Sequence, residues 1–409
     1  MILLYSIAIH FFYAIMLFVS LFNKKARLWI NGRKGWRKKL GQWQPSVTPV
    51  LWFHAASLGE FEQGRPLIEE FKKRQPGCSL LLTFYSPSGF EIRKNYEEAD
   101  LVCYLPLDTW YNARRFVNLV KPDVAFFIKY EFWYFYLRLL YQKNLQVYLI
   151  SGIFRPGQVF FRWYGSWFRK KLRYFKHFFV QDQTSADLLG SLGLHNTTIS
   201  GDTRFDRVTM LNSLAKKIDI AEAFSSEHFC LVAGSTWPAD EDLLVKLINE
   251  SVNNIKLIIA PHEIDEEHIS KLAALIKRSY VLYSASSLSN VIDKQVLIID
   301  NIGMLSSLYR YGQLAFIGGG FGKGIHNILE AAAFGKPVIF GPNYWKFREA
   351  IELIRIGGAF TVNNYDELHT VISSLKIDTE KYKASCLKAS DYVKNNIGAT
   401  DIILRDIVK

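Results

Sequence analysis

Short apolar runs alternate with helical patterns along most of the chain. In the first half these runs cover residues 50–55, 79–85, 101–107, 124–130, 146–152 and 177–182. A second series begins near residue 228 with FCLVAGS, KLIIAP, VLIID, LAFIGG and PVIFG. Buried strands separated by helices are typical of parallel sheets with right-handed crossovers. The pattern therefore predicts an α/β protein with two doubly wound, Rossmann-like domains facing each other across a cleft.

The first 22 residues form the longest apolar run and contain no Lys, Arg, Asp or Glu. As a helix this run would span about 33 Å, enough for a bilayer core. It lacks basic residues before it and a small-residue cleavage site after it, so it does not fit a removed signal peptide. We predict a membrane-anchor helix over 1–22. A helix lying in the membrane interface is the alternative, because hydropathy alone does not separate the two.

Positive charge is concentrated in the first half of the chain. Residues 1–200 hold 27 Lys and Arg against 13 Asp and Glu, within a net charge of +12 for the whole chain. Eight of these basic residues lie in the stretch 24–39, which has no acid and includes Trp29 and Trp36. Such residues beside an apolar helix favour the cytoplasmic membrane face and anionic lipids. No nucleic-acid-binding motif accompanies them, so we expect no nucleic acid partner.

These patterns divide the chain into five segments. They are the anchor helix 1–22, an N-terminal domain 23–200 that includes the basic stretch 24–39, a connection 201–227, a C-terminal domain 228–378 and a helical segment 379–409. Open α/β sheets bind ligands at the carboxyl ends of their strands. Functional residues are therefore expected in the loops that follow the strands.

The first such loop is HAASLGE, residues 54–60, which leads from a strand into a helix. Gly59 permits a close backbone approach, and Glu60 lies at the predicted helix start. The helix dipole favours a carboxylate there and should keep it ionised at neutral pH, as a general base requires. Spacing alone leaves two interpretations open: a general base, or an ordinary first-turn acid that stabilises the helix dipole.

A glycine-rich loop, GGGFGKGIHN, follows the apolar run LAFI in the second half. It is predicted to open a helix near His326, a geometry that can hold a phosphate or approach a ribose. Asn327 and Glu330 would share one helical face, where a carboxylate can accept both hydroxyls of a ribose. The spacing matches neither the dinucleotide pattern nor the P-loop. A glycine-rich packing turn is the alternative.

Three further stretches carry candidate residues. Ser235 and Thr236 lie between a strand and an acidic helix start, where their hydroxyls either hold a phosphate or cap the helix. Glu131 and His262 each follow the end of a strand. His262 and His268 are six residues apart, which is not the spacing of a helical metal pair, so we predict no metal site.

Together these stretches resemble the Kdo (3-deoxy-D-manno-octulosonic acid) transferase family of lipopolysaccharide biosynthesis. The most specific parts are HAASLGE (54–60), SGDTRFD (200–206), AGST (233–236) and HNILEAAAFGKPVIFGP (326–342). The resemblance implies a GT-B-type fold whose N-terminal half takes a lipid A precursor and whose C-terminal half takes CMP-Kdo, without a metal or other cofactor. It also implies an enzyme anchored to the inner membrane, with its catalytic domains on the cytoplasmic side.

The resemblance assigns roles to individual residues in an inverting transfer of Kdo to lipid IVA. Glu60 matches the family's general base, and Glu131 and Arg204 match residues that stabilise charge in the transition state. Residues matching the family's contacts to CMP are Pro261, His262, Ile302, Gly303, Met304, Asn327, Ile328, Leu329 and Glu330. Ser235 and Thr236, within the AGST motif, join them as candidate donor-binding hydroxyls.

Four positions depart from the family's usual pattern. His262 stands where a phosphate-binding Arg is usual, and Met304 stands where a Glu is usual. Lys129 replaces the first acid of an E-x-E-L-W stretch, and Arg204 replaces a Lys. These departures affect donor contacts and the surroundings of Glu131, and they leave Glu60 untouched.

Two other classes of function stay open on the sequence. One is a different GT-B-type nucleotide-sugar enzyme, such as an epimerase or a glycosyltransferase of peptidoglycan assembly. The other is a non-catalytic nucleotide-binding membrane protein. An epimerase would not need the apolar segment 1–22, and a sensor would bind CMP without transferring a sugar.

Overall fold

Each half of the chain folds around its own parallel β-sheet. The structure, a computed structural model, describes residues 1–45, 49–250 and 255–407. Two compact units are formed, one from Met1–Arg207 with Gly398–Lys409 and the other from Val208–Ile397. The predicted α/β class with two doubly wound parallel sheets is confirmed.

The first unit contains seven parallel strands in the order β3-β2-β1-β4-β5-β6-β7. They are β1 (Val50–Ala55), β2 (Ser79–Phe84), β3 (Leu101–Tyr104), β4 (Val124–Ile128), β5 (Gln146–Gly152), β6 (His177–Val180) and β7 (Thr197–Ile199). The strand order reverses direction between β1 and β4. In such sheets the carboxyl ends of the two strands flanking the reversal form the ligand-binding crevice.

Within the described residues, ten α-helices accompany this sheet or follow it. They are α1 (Ile2–Val19), α2 (Lys24–Gly32), α3 (Trp36–Gln42), α4 (Leu58–Arg74), α5 (Pro87–Arg93), α6 (Trp110–Val120), α7 (Tyr134–Gln142), α8 (Ser166–Leu172), α9 (Gln183–Gly190) and α10 (Arg204–Ser213). Helix α1 is long and apolar enough to cross a membrane, and none of its residues is buried within the protein.

The second unit repeats the plan with strands in the order β10-β11-β9-β8-β12-β13-β14. They are β8 (Phe229–Thr236), β9 (Ile255–Pro261), β10 (Tyr280–Leu282), β11 (Val296–Ile298), β12 (Leu314–Ile317), β13 (Val338–Phe340) and β14 (Ala359–Thr361). The order reverses between β8 and β12, so the ligand-binding edge is expected at the carboxyl ends of those strands.

The helices from residue 219 onward complete both units. They are α11 (Asp219–Ser225), α12 (Pro238–Glu250), α13 (Glu266–Leu275), α14 (Leu288–Val291), α15 (Leu305–Leu308), α16 (Leu329–Ala333), α17 (Arg348–Ile356), α18 (Tyr365–Ile377), α19 (Thr379–Lys394) and α20 (Ala399–Ile407). All but α20 belong to the second unit, because the chain returns to the first unit at Gly398.

Side-chain alternation in β1 places two different cores on the two faces of the first sheet. Val50 and Trp52 join the core beneath α6 and α7, whereas Leu51 and Phe53 join the core beneath α4. Successive side chains of a strand point to opposite faces, so His54 lies on the face of Trp52. A polar ring is thereby placed in an otherwise apolar layer, where it needs hydrogen-bond partners.

The structure differs from the sequence expectations at some elements. Strands β7, β10 and β14 were not expected; each has three residues and lies at the edge of its sheet. Runs this short carry no periodic signal. The helix expected near His326 begins at Leu329 and has only five residues.

The segments expected from the sequence do not all coincide with the two compact units. The boundary between Arg207 and Val208 falls inside α10, within the expected connection 201–227. The expected segment 379–409 divides between the two units, with α19 in the second and α20 in the first. Its last two residues lie outside the described residues.

Asp206 in the SGDTRFD stretch holds the returning helix α20 against the first unit. Its carboxylate accepts hydrogen bonds from the backbone N–H of Gly398 (2.6 Å) and from the N–H and hydroxyl of Thr400 (2.7 and 2.6 Å). The free N–H groups of a helix start need such acceptors. One residue of the family motif therefore has a structural role as the cap of α20.

We expect Asp206→Ala to destabilise the first unit by about 1–2 kcal/mol, the usual cost of losing a helix cap. Thermal denaturation followed by circular dichroism measures this as a fall in Tm. Asp401→Ala is the matched control, because Asp401 lies in the first turn of the same helix but is 69% exposed. Equal losses in the two variants would contradict the capping role.

Candidate functional site

The candidate base lies where β1 ends and α4 begins, next to the strand reversal of the first sheet. Ser57 is the N-cap of α4, and the Glu60 carboxylate accepts from the Ser57 N–H and hydroxyl, both at 2.8 Å. This is a capping box. Both bonds use Oε2, and within the described part of the chain no hydrogen bond is found to Oε1. The first-turn interpretation is thus correct, yet one carboxylate oxygen is left for other chemistry.

The surroundings of Glu60 raise the pKa of its carboxyl above the ordinary value for Glu. Burial is the main cause, and the negative charge of Glu131 acts in the same direction. The bonds from Ser57 and the charge of Lys129 oppose the rise. The helix start was expected to keep this pKa low, so the direction is opposite to that expectation. A raised pKa makes the carboxylate a stronger proton acceptor.

Glu131 is held by two side chains at the end of β4. Its Oε2 accepts from the indole N–H of Trp133 and lies 3.0 Å from His54 Nε2. The other ring nitrogen of His54 lies 2.9 Å from the hydroxyl of Thr83. His54 is completely buried and Glu131 is 8% exposed. The pair therefore links the ends of β1 and β4 directly below the turn that carries Glu60.

Backbone strain marks the same strand end. Lys129 follows β4 directly and has φ = 68°, a left-handed conformation that side chains other than glycine rarely adopt. Strained residues of this kind concentrate at functional sites, where the surrounding structure holds them in place. The turn places the charge of Lys129 where it acts on the Glu60 carboxyl.

Arg204 is oriented by its neighbour Asp202. The guanidinium lies 2.8–2.9 Å from Asp202 Oδ2, and the second carboxylate oxygen accepts from the Gln63 amide of α4 at 3.2 Å. Burial acts to raise the pKa of Asp202, but the charge and hydrogen bonds of Arg204 hold it below the ordinary value. Arg204 is 28% exposed, so it is fixed at its base and still accessible.

One tyrosine is within electrostatic range of two predicted catalytic residues and adjoins the third in the chain. Burial raises the pKa of the Tyr130 phenol, and the charges of Glu60 and Arg204 act on it with opposite signs. Glu131 is the next residue in the chain. The structure therefore gathers Glu60, Glu131 and Arg204 at the carboxyl edge of the first sheet.

The predicted donor residues follow four neighbouring strands of the second sheet. Ser235 and Thr236 end β8, Pro261 ends β9 and is followed by His262, residues 302–304 follow β11, and residues 327–330 follow β12. The order β11-β9-β8-β12 makes these strands adjacent. Carboxyl ends of parallel strands lie at one edge, so the sequence expectations converge on a single edge of the sheet.

Backbones approach closely at the β8–β12 reversal. A Cβ on Gly318 would lie 2.2 Å from the Ser235 carbonyl oxygen, so only glycine fits there. Ser235 itself has φ = 54°. Asp240 Oδ2 accepts from the N–H groups of Gly319 (2.8 Å) and Trp237 (2.9 Å), which ties the glycine-rich loop to the start of α12.

The two hydroxyls of the AGST stretch have different environments. Thr236 is completely buried, and its hydroxyl donates to Glu241 of α12 at 2.9 Å. Thr236 therefore fits the structural interpretation, in which the hydroxyl stabilises the start of the helix. Ser235 is half-buried and is the hydroxyl of the pair that a ligand can reach.

Three rings stack beside this loop. The His262 ring lies 4.7 Å from the Trp237 ring and 4.5 Å from the His326 ring, with interplanar angles of 26° and 25°. Trp237 donates its indole N–H to His326 Nε2 at 3.0 Å. Burial and the neighbouring His262 lower the pKa of His326 to about 4, so this ring is neutral at pH 7. The stack was missed in the sequence because its members lie on three separate loops.

The remaining residues predicted to bind the donor substrate differ in which of their groups are exposed. Asn327 lies before α16, accepts from the Leu329 N–H at 3.2 Å and donates to Glu330 Oε1 at 2.9 Å. Ile328 and Leu329 are buried, so only their backbone groups are available to a ligand. Ile302 is 88% exposed in the loop after β11.

One group of possible metal ligands occurs among the described residues, and it lies in the second unit. Glu263, Asp265 and His268 bring one ligand atom each to within 4.8 Å of one another. The two acids are exposed, and His268 Nε2 lies 2.8 Å from Glu241 Oε2. This arrangement is an ordinary helix start with Asp265 as N-cap of α13.

Comparison with known proteins identifies relatives over most of the chain. The family model for 3-deoxy-D-manno-octulosonic-acid transferase (kdotransferase) matches residues 34–207, the part that carries Glu60, Glu131 and Arg204. A Haemophilus influenzae protein named 3-deoxy-D-manno-octulosonic acid transferase is 26% identical over 88% of this chain and 86% of its own length. An Aquifex aeolicus protein of the same name is 28% identical over 80% and 86%.

Solved structures show the same fold at lower identity. UDP-GlcNAc 2-epimerase from Neisseria meningitidis, bound to UDP-GlcNAc, aligns with a TM-score of 0.61 at 15% identity, covering 88% of this chain and all of that one. A UDP-N-acetylglucosamine 2-epimerase from Listeria monocytogenes gives 0.60 at 12% identity, covering 88% and 96%. These likenesses concern the GT-B-type fold alone. The sequence matches are more specific: residues 34–207 match the Kdo transferase domain, and over most of its length the chain is similar to proteins named 3-deoxy-D-manno-octulosonic acid transferase.

Proposed function

We propose that this chain transfers Kdo from CMP-Kdo to a lipid A precursor, lipid IVA, at the cytoplasmic face of the inner membrane. The observation that carries the proposal is the state of Glu60, a helix-capping carboxylate with a raised pKa and one oxygen not used by the cap. The relatives' names support the transferase activity. Donor, acceptor and residue roles are proposed from the family resemblance and the site geometry.

The proposed reaction is a direct displacement at the anomeric carbon of Kdo. A hydroxyl of the acceptor's glucosamine attacks this carbon, and Glu60 Oε1 takes the hydroxyl proton. The bond from the anomeric carbon to the CMP phosphate breaks, and CMP leaves as a phosphate monoester. Direct displacement inverts the anomeric configuration.

In this proposal the other residues of the first unit position and balance charge. Glu131, fixed by His54 and Trp133, holds the β4 turn and raises the basicity of Glu60. Arg204, fixed by Asp202, supplies a positive charge for the phosphate that develops on the leaving group. Lys129 provides a second positive charge beside Glu60.

The second unit would hold CMP at the carboxyl ends of four adjacent strands. The stacked rings of His262 and His326 offer stacking and hydrogen bonding, the Ser235 hydroxyl offers a phosphate contact, and Glu330 offers a ribose contact. Where the family usually has a phosphate-binding Arg, the stack holds the imidazole ring of His262. No metal or other cofactor enters the proposed reaction, and no nucleic acid partner is proposed.

Glu60→Gln should abolish transfer while the protein stays folded, because the amide oxygen of Gln can still accept the bonds from Ser57. General-base help is worth about 10²–10⁴-fold, so we expect a rate loss in that range. Mass spectrometry of the lipid after incubation with CMP-Kdo and lipid IVA measures the product.

Binding of CMP by the same Glu60→Gln variant is the control, measured as the rise in Tm on adding CMP, with UDP compared alongside. Transfer by this variant at the wild-type rate would refute the base assignment. A larger rise in Tm with UDP than with CMP would favour an epimerase-like enzyme. Binding of CMP by the wild type without any transfer would favour a nucleotide sensor.

Lys129→Gln should move the acid limb of the pH–rate profile to higher pH. The charge of Lys129 lowers the pKa of Glu60, so its removal leaves Glu60 protonated up to a higher pH and inactive as a base. The profile of transfer rate against pH under saturating substrates measures the shift. Lys143→Gln, at the end of α7, controls for the loss of one exposed positive charge. An unchanged or acid-shifted limb in Lys129→Gln would contradict the assignment.

The second unit should lose stability as the pH falls from about 6.5 to about 4. The pKa of His326 is about 4 in the folded protein and about 6.5 in an unfolded chain, so the unfolded state binds the proton first. His326→Gln should remove this part of the pH dependence, as measured by thermal denaturation across that range. His369→Gln, an exposed histidine in α18, should follow the wild type. Parallel curves for all three proteins would contradict the assignment.

A further inference from the structure

Helix α1 contacts the protein along one face over its whole length. Its partly covered residues recur every three or four positions: Tyr5, Ser6, Ile9, Tyr13, Met16 and Ser20. Residues at this spacing share one side of a helix. The opposite side is an exposed apolar stripe: Leu3, Ile7, Phe11, Ile15, Phe18 and Phe22. A helix that crosses a bilayer on its own would be surrounded by lipid on every side.

The N-terminal part of α1 is fixed to the first unit by Tyr5. Its hydroxyl donates to the buried carboxylate of Asp108 at 2.6 Å, and its ring lies 5.5 Å from the ring of Trp167 in α8. Asp108 also accepts from the N–H of Phe135 at the start of α7. The beginning of α1 is thus attached to the same carboxylate that caps a core helix.

The later part of α1 lies against the charged helix α2. Phe12 meets the buried ring of Trp29 edge-on at 5.6 Å. Arg27 donates to the carbonyl of Leu21 at 3.0 Å and to that of Ser20 at 3.2 Å. If α1 crossed the bilayer, its two ends would lie at opposite membrane faces, and a charged group held beside its first turns, such as Lys171 next to Tyr5, would have to enter or cross the hydrocarbon at about 2.5–3.5 kcal/mol. A helix lying in the membrane interface avoids that cost.

A second surface with the composition of a membrane interface lies beside α1. No Asp or Glu occurs between Glu131 and Asp182, and the segment 159–176 contains six Lys and Arg. Trp163 is 89% exposed and Tyr164 is 57% exposed. Exposed Trp and Tyr among basic residues are typical of the headgroup level of a membrane.

This second surface is continuous with α1. Trp167 and Lys171 of α8 both contact the Tyr5 ring, with Lys171 Nζ 4.8 Å from the ring centre. A groove of about 400 Å³ next to them is lined by basic and small or apolar residues: Ser166, Arg169, Lys170, Arg173, Ser191, Leu192 and Leu194. Positive charge and exposed aromatic rings in one surface fit anionic phospholipid headgroups.

We propose that α1 lies in the plane of the membrane and that segment 159–174 is a second contact with the same anionic bilayer surface. This inference rests on the membrane association in the proposed function and adds the orientation of the protein. Trp163 and Tyr164 would enter the headgroup region, and Arg162, Lys170 and Arg173 would bind lipid phosphates. The carboxyl edge of the first sheet would then be held at a constant orientation to the bilayer.

Depth measurements on the full chain test the orientation. Single cysteines replace Leu3, Phe11, Phe18 or Trp163 in a Cys386→Ser background, because the three other cysteines are buried. An environment-sensitive label on each is quenched by nitroxide lipids in phosphatidylcholine vesicles with phosphatidylglycerol. We expect equal, shallow depths at all four sites. A label at Lys94, on the other face of the sheet, should not be quenched.

Charge removal tests the second contact. Arg162→Gln with Lys170→Gln and Arg173→Gln should weaken partitioning to the anionic vesicles by about tenfold or more. The effect should disappear in pure phosphatidylcholine and diminish in high salt. The matched control removes three exposed charges from the opposite face of the sheet: Lys73→Gln, Lys94→Gln and Arg405→Gln.

Three results would overturn the proposal. Deep quenching at Phe11 with shallow quenching at Leu3 and Phe18 would show that α1 spans the bilayer. An unquenched label at position 163, or equal losses in the two triple variants, would remove the second contact. Transfer activity is also measured with the acceptor dispersed in detergent, where no membrane contact is needed. The triple variant of Arg162, Lys170 and Arg173 should keep this activity, so the assay tests the proposed function independently of the membrane contact. If the labels are quenched as expected but the protein transfers no Kdo, the proposed function is wrong and the proposed membrane contact still holds.

Discussion

The contact between His54 and Glu131 is the interaction on which the first site depends. Parallel pairing places the ends of β1 and β4 side by side, and this contact joins them across the strand reversal. A buried polar group without a partner costs about 1–3 kcal/mol, so each side chain requires the other. Once the pair is formed, Trp133 is anchored, α7 begins in a fixed place, and the strained turn at Lys129 is held.

In the second unit, different interactions join the loops at the strand reversal. Asp240 bonds to the backbone of the glycine-rich loop, and Trp237 bonds to His326, so the loops after β8 and β12 are joined through neighbouring residues. His262 completes the stack from β9. An imidazole ring stands at this position, and the three rings are held by stacking and by the hydrogen bond from Trp237 to His326. The predicted donor-binding residues of these loops are therefore ordered mainly by packing and hydrogen bonds.

The sequence predicts the architecture well because the fold rests on buried parallel strands. Runs such as VLWFHA and FCLVAGST are long and apolar enough to be recognised, and most predicted site residues lie at the carboxyl ends of such strands or just after them. The three-residue edge strands and the late start of α16 were missed because they depend on tertiary pairing and on the Asn327 cap. The role of His54 had a readable signal, a polar residue in the buried period-two pattern of β1. The stack of Trp237, His262 and His326 had none, since no local pattern connects three loops.

The geometry of Glu60 makes its stabilising role compatible with the chemical role proposed for it. A capping carboxylate is commonly regarded as a structural feature, and by that view the two interpretations of Glu60 exclude each other. The geometry separates them, because the cap occupies Oε2 and leaves Oε1. The cap also fixes the rotamer, so a proton acceptor at Oε1 loses no conformational entropy when substrate arrives. Burial raises the basicity of a carboxylate that the Ser57 bonds alone would make a weak base. The position at a helix start therefore supplies orientation, and the buried surroundings supply basicity.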